Sequence, residues 1–309
     1  MTDAVIQMHD VTKRFGDKTV LDGLNYSLRK GTVTGLLGKN GSGKTTLLKC
    51  ALGLQTPQQG TVTVFEQPAL QLTGEAKARL AYVPQEISLY PWMKVRQIIA
   101  YTRAFYPRWN DTLIARLISE WELGAEERVG TLSTGQMQKL SIMLALGHKP
   151  DLLVLDEPVA GLDPDARRKF LATLLDIALS GERTVLFSTH ITSDLERVAD
   201  QVAVLRRGKI VYDDELSQLK DSVKRIRISV NGALPADLQD LPGLLSCDRD
   251  GSSAVFSVQN FSADLPDQLR SQWRAEVAVE DLNLEEIFLE LHHQLQDDSQ
   301  HELEVADAR

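Results

Sequence analysis

Two periodicities divide the chain. Short, largely apolar runs, Val33–Leu37, Leu152–Leu155 and Thr184–Ser188, predict strands buried on both faces, as in a parallel sheet. Between them lie segments with helical spacing. Thr46–Leu52 predicts a helix directly after the first run, Val95–Phe105 another, and Met137–Gly147 and Asp165–Leu179 two more. Ile114, Leu117, Ile118 and Trp121 mark the core face of a helix capped by Asn110 or Asp111. Ahead of the first buried run, Ala4–Met8 and Leu24–Leu28 predict an antiparallel sheet, with Thr61–Phe65 and Leu80–Pro84 as later strands.

After His190 the pattern changes. Val202–Leu205 and Lys209–Tyr212 predict a hairpin through Arg207-Gly208, and Asp214–Lys220 a short helix. Ile226, Ile228 and Val230 then alternate with polar residues as a half-buried strand. Leu244–Cys247 and Ala254–Val258 flank Asp250-Gly251 as a hairpin. Ala263–Trp273 predicts a helix and Glu276–Val279 a strand. Leu284, Ile287, Phe288, Leu291 and Leu295 predict a final amphipathic helix. The expected fold class is α/β: a core built on buried parallel strands with an antiparallel β subdomain and a helical subdomain, plus a small α+β C-terminal domain. The expected boundaries are 1–220, 221–295 and a disordered acidic tail at 296–309.

The chemistry gathers where strands end. Gly38-Lys39-Asn40-Gly41-Ser42-Gly43-Lys44-Thr45-Thr46 joins the first buried strand to a helix. Glycines let successive backbone N–H groups converge on one anion, and the helix N-terminus adds donors. Lys44 is then placed for the β- and γ-phosphates and the Thr45 hydroxyl for Mg²⁺. Asp156 and Glu157 emerge together from the Leu152–Leu155 strand. They fit the acid that holds Mg²⁺, usually through water, and the base that polarises the attacking water. His190 follows the Thr184–Ser188 strand, and Gln85 follows Leu80–Pro84. Ser133 and Gly135, at the start of the Met137–Gly147 helix, form a second anion site. Phe15 reads equally well as a core aromatic or as a platform on which a purine stacks. Tyr90 and Trp92, in a loop, are poorly explained by packing and suggest a docking surface.

Composition narrows the class. The 309 residues are 43% hydrophobic and 25% charged, as in ordinary globular proteins. The net charge of −9 argues against a broad nucleic-acid surface. Cys50 and Cys247 have no metal-ligand spacing and read as reduced thiols. No apolar run spans a bilayer, so membrane work would need another chain. His292, His293 and His301 fit a disordered end better than a metal site.

Taken in order, the glycine-rich loop, Gln85, Leu132–Gln136, Asp156-Glu157, Asp163 and His190 resemble the ATP-binding subunit of ATP-binding-cassette (ABC) transporters, over about Ala4 to Leu219. The closing Asn283–Leu289 pattern is similar to that of the bacterial exporter branch. The resemblance implies a P-loop NTPase core, ATP and Mg²⁺ as cofactors, Phe15 as the adenine platform, and Gln85 touching Mg²⁺ and water. It implies that His190 contacts the γ-phosphate. It implies that Ser133 and Gly135 cap the γ-phosphate held by Lys44 of a partner subunit in a head-to-tail homodimer or heterodimer, with Gln136 and Asp163 as further nucleotide-binding residues. It also implies an integral-membrane permease docking near Gln85 and Trp92, and a cytoplasmic, peripheral location on the inner face of the membrane. Thr134 departs from the pattern, which carries glycine there, and its branched Cβ is expected to slow closure without abolishing it. The C-terminal unit reads as a dimer-supporting or packing domain in preference to a ligand pocket. The alternative function is a soluble ABC ATPase serving non-membrane machinery. The lack of a long coiled-coil insertion and of a second phosphate loop weakens its DNA-maintenance and translation-factor forms.

Overall fold

The computed structural model describes residues 4–159, 161–179 and 183–291. The chain divides into two units, 1–213 and 214–309.

In the first unit, β1 (Ala4–Phe15) and β2 (Lys18–Arg29) form a long antiparallel hairpin. Both strands run well beyond their apolar centres because bulges let the pairing continue through polar residues as far as Phe15 opposite Lys18. β3 (Val33–Leu37) leads through the glycine-rich loop into α1 (Lys44–Ala51). β4 (Gln59–Val64) and β5 (Gln67–Pro68) complete a sheet of order β2-β1-β4-β5. Then come α2 (Gly74–Ala78), capped by Thr73, and β6 (Leu80–Val83). The helical segment follows as α3 (Val95–Arg103), α4 (Asp111–Glu120) and α5 (Thr134–Gly147). Asn110 is the cap of α4, its side chain accepting from Leu113 N at 3.1 Å. β7 (Leu152–Asp156), α6 (Pro164–Leu179), β8 (Thr184–Thr189), α7 (Thr192–Val198), β9 (Gln201–Arg206) and β10 (Lys209–Glu215) close the unit.

The central sheet runs β10-β9-β3-β8-β7-β6. The β6–β7, β7–β8, β8–β3 and β3–β9 pairs are all parallel. Every residue of β3, β7 and β8 is buried, which is why these strands read as largely apolar runs. The β9–β10 turn has positive φ at both Arg207 (45°) and Gly208 (77°), the geometry a two-residue hairpin needs. At Gly35 a Cβ would lie 1.8 Å from Leu195 Cδ2, so glycine lets α7 approach β3 beside the loop.

The second unit contains α8 (Leu216–Ser222), β11 (Lys224–Ser229), β12 (Leu244–Asp250), β13 (Ser253–Val258), α9 (Leu265–Trp273) and β14 (Glu276–Asp281). Residues 284–291 are helical. The sheet order is β12-β13-β11-β14, and its pairs are antiparallel. Ile226, Ile228, Phe256 and Leu269 pack in its core. Arg225 binds Glu286 at 3.1 Å and Glu290 at 3.3 Å, tying the last described helix to β11. Leu295, His292, His293, His301 and the 296–309 tail lie outside the described residues.

Candidate functional site

Parallel strands deliver their C-terminal ends to one edge of a sheet, and ligands bind at that edge. Here β3, β7 and β8 bring Gly38, Asp156-Glu157 and Thr189-His190 to a common edge. Gly41 (φ 79°) and Gly43 (φ 106°) take left-handed backbone conformations that turn the loop into α1. A Cβ on Gly43 would meet Val20 Cγ1 at 3.0 Å, and one on Gly38 would meet the Leu205 carbonyl at 2.8 Å. The loop is therefore fixed to its neighbours by close approach as well as by conformation.

An open cavity of about 610 Å³ lies over this loop. Asn40, Gly41, Gly43, Lys44, Thr45 and Thr46 line it, and so do Phe15, Gln85, Glu157 and His190. Lys18 and Val20, which the sequence patterns did not single out, line it too. Phe15 is 49% exposed at the tip of β1, which removes it from the core and leaves a ring face for stacking. The Lys13 ammonium lies 5.1 Å from the centre of that ring.

Lys44 is only 6% exposed. Its Nζ donates to the Gly38 carbonyl at 2.8 Å and lies 3.3 Å from Glu157 Oε1. The other Glu157 oxygen is 2.9 Å from His190 Nδ1. Glu157 thus bridges a buried cation and an imidazole, and its backbone has a left-handed φ of 49°. Its N–H donates to Ser188 Oγ at 3.0 Å, and Ser188 Oγ donates to Asp156 Oδ1 at 2.7 Å. Asp156 is fully buried, and its Oδ2 is among the buried oxygens that no protein group satisfies within the described residues. A buried carboxylate oxygen left open beside a phosphate loop suits a hydrated divalent cation, so the residues present fit Mg²⁺.

The second anion motif is built separately. Ser133 caps α5: its Oγ accepts from Gln136 N at 3.2 Å while Gln136 Oε1 accepts from Ser133 N at 2.9 Å. This reciprocal box starts α5 at Thr134, three residues before its apolar face begins. Thr134 continues the helix and turns its methyl toward Gly161, where a Cβ would lie 3.4 Å away. Asp163 caps α6 through Asp165 N and Ala166 N, and these bonds, led by Ala166, hold its carboxyl below the usual range. Ser133, Gly135, Gln136 and Asp163 do not line the Lys44 cavity.

On the same unit, Trp92 (67% exposed), Tyr90, Tyr101 and Phe105 form one exposed aromatic chain with centroid separations of 5.2, 5.5 and 5.0 Å. Tyr101 lies on α3 and Phe105 just beyond its end at Arg103, two residues short of the predicted Val95–Phe105 helix, whose pattern hid both rings in the sequence. Among the described residues no helix is long and apolar enough to cross a membrane.

Residues 21–160 match the family model for ABC transporters. The Nod factor export ATP-binding protein I of Burkholderia orbicola (strain AU 1054) is 34% identical over 298 residues, covering 94% of this chain and 98% of that one. Its namesake from Sinorhizobium fredii (strain NBRC 101917 / NGR234) is 32% identical over 300 residues, covering 94% and 86%. An ATP-binding subunit of an ABC transporter has a similar structure, with a TM-score of 0.64, 24% identity and coverage of 70% and 92%. A dimeric bacterial ABC transporter cassette gives 0.61, 22%, 68% and 98%. The chain belongs to the ABC transporter family, as one of its ATP-binding, ATP-hydrolysing proteins.

Proposed function

We propose that the chain powers a membrane exporter by ATP-driven head-to-tail pairing of two nucleotide-binding units. The observation that carries this reading is the separation of two half-sites in one chain. The Lys44 cavity holds the phosphate loop and the Glu157–His190 pair. The Ser133–Gly135 helix start and Asp163 stand outside it. A copy or sister chain presenting its Ser133 and Gly135 completes each site. Relatives named for export favour that direction of transport.

The geometry supports the following residue roles. Phe15 stacks the adenine of ATP, and the loop N–H groups with Lys44 hold the phosphates. The incoming γ-phosphate competes with Glu157 for Lys44 Nζ, which frees Oε1 to polarise water. His190 keeps the other oxygen of Glu157 oriented and reaches the γ-phosphate side of the cavity. Thr45, Gln85 and Asp156, the last through water, would hold Mg²⁺, which would supply positive charge to neutralise the β- and γ-phosphates. Hydrolysis removes the contacts that glue the pair, so nucleotide state shifts a two-state equilibrium between closed and open dimers.

The aromatic chain from Trp92 to Phe105 receives an integral-membrane permease near Gln85. That contact holds the protein peripherally at the cytoplasmic face of the membrane. No nucleic-acid partner is needed.

Glu157→Gln tests the base. Steady-state turnover is expected to fall by about 100-fold or more, and ATP is expected to shift the variant to dimer on size-exclusion chromatography. Wild-type turnover in this variant contradicts the assignment.

A further inference from the structure

We infer that Ser188 is a positioning residue for both catalytic carboxylates, an inference that rests on the hydrolytic reading of the site. Ser188 is fully buried in β8, directly opposite Asp156 of β7 in the parallel register. The directions of its hydrogen bonds are unambiguous. A backbone N–H can only donate, so Glu157 N gives its proton to Ser188 Oγ at 3.0 Å. The hydroxyl proton is then left for Asp156 Oδ1 at 2.7 Å. One side chain is thereby an acceptor for the base's backbone and a donor to the neighbouring acid.

Each bond has a consequence. The Glu157 N–H, which also approaches the Ser188 carbonyl at 3.2 Å, is held while Glu157 takes its left-handed φ of 49°. Non-glycine residues rarely adopt that conformation without support from the surroundings. It carries the Glu157 carboxylate to Lys44 and His190. The second bond satisfies Oδ1 of Asp156 and leaves Oδ2, which no protein group satisfies, as the oxygen available to a hydrated cation. Replacing the hydroxyl removes both Oγ bonds at once, leaving the Glu157 N–H only the longer contact to the Ser188 carbonyl, while touching neither nucleotide nor water. Its effect belongs to the chemical step and to Mg²⁺-dependent binding, not to the phosphate cradle.

The test uses the full chain. For Ser188→Ala, kcat is expected to fall about 10-fold while KM for ATP stays within about twofold. Binding of a fluorescent ATP analogue in EDTA is expected to be unchanged, while the extra thermal stabilisation given by Mg²⁺ with the analogue shrinks. Ser188→Thr, which keeps the hydroxyl, recovers most of the rate, and Ser188→Cys, a poorer hydrogen-bonding group of similar size, falls between. The Cys variant carries the test where Ala does not fold. The inference is overturned if Ala or Cys keeps wild-type kcat and Mg²⁺ stabilisation. It is equally overturned if the loss appears as weaker EDTA binding in step with a lowered melting temperature, or if Thr is no better than Ala. Absence of ATP turnover in the wild-type protein would instead sink the hydrolytic reading itself.

Discussion

Lys44 is the most constrained cation in the site. It is buried, bonded to the Gly38 carbonyl and paired with Glu157. A buried ammonium of this kind is held ready at the charge of the incoming phosphates, and its loss leaves Glu157 facing them alone. Lys44→Ala is expected to weaken ATP binding by about 10-fold or more in calorimetry, and unchanged affinity contradicts its role. His148 makes a second residue-level prediction, on stability. Burial, more than any other cause, lowers its pKa, with Arg108 and Arg183 adding to the effect against backbone carbonyls that raise it. Its ring stacks on Tyr106 at 3.9 Å, and its Nε2 lies 3.2 Å from the Leu80 carbonyl. The folded state therefore resists a proton that the unfolded chain accepts near the ordinary value of 6.5. Stability should be full above that pH and decline as pH falls through it toward the lower folded value. In urea titrations between about pH 7.5 and 5.5, His148→Phe is expected to flatten this decline; an unchanged slope contradicts it. Asp156, Glu157 and His190 were legible in the sequence because apolar runs announce where strands end. Ser188 was not, because a serine in an apolar strand has no signal until the β7–β8 register sets it opposite Asp156.

At the scale of elements, the site depends on how closely β3 and α7 pack. Gly35 leaves no room for a methyl against Leu195, itself fully buried. Gly35→Ala is expected to cost about 1–3 kcal/mol by overpacking, measured by urea unfolding, and Leu195→Ala in the same chain should recover part of the loss. Additive losses would mean that the two residues do not share one space. In the second unit, Arg225→Ala strips the partly buried partner of Glu286 and Glu290 and is expected to destabilise by about 1–2 kcal/mol. The long buried strands and the amphipathic helices were readable from periodicity. The short α2 and α7 were not, since a turn or two of helix with mixed polarity gives no clear 3.6-residue repeat. The polar ends of β1 and β2 escaped for a related reason: hairpin pairing, not apolar alternation, holds them. The cap of α5 was legible only in part: Ser133 was placed at the helix start as an anion site, whereas its box with Gln136, which begins the helix at Thr134, is set by the folded geometry.

Across the whole molecule, the family, the nucleotide and the α/β core were all legible, because the motifs keep a fixed order along the chain and the fold collects the phosphate loop, Gln85, Glu157 and His190 around one cavity. The extent of the aromatic surface was not. Tyr101 and Phe105 join Tyr90 and Trp92 only once α3 is folded beside its preceding loop. That surface and the divided half-sites together support one account, a nucleotide-driven dimer that pushes on a membrane partner. The most direct measurement is co-purification of tagged Glu157→Gln protein, with ATP, from gently solubilised native membranes. The account predicts a stoichiometric polytopic partner, released when Trp92 and Tyr90 are replaced by Ala. Recovery with a non-membrane partner, or with none, would contradict it and favour a soluble ABC ATPase.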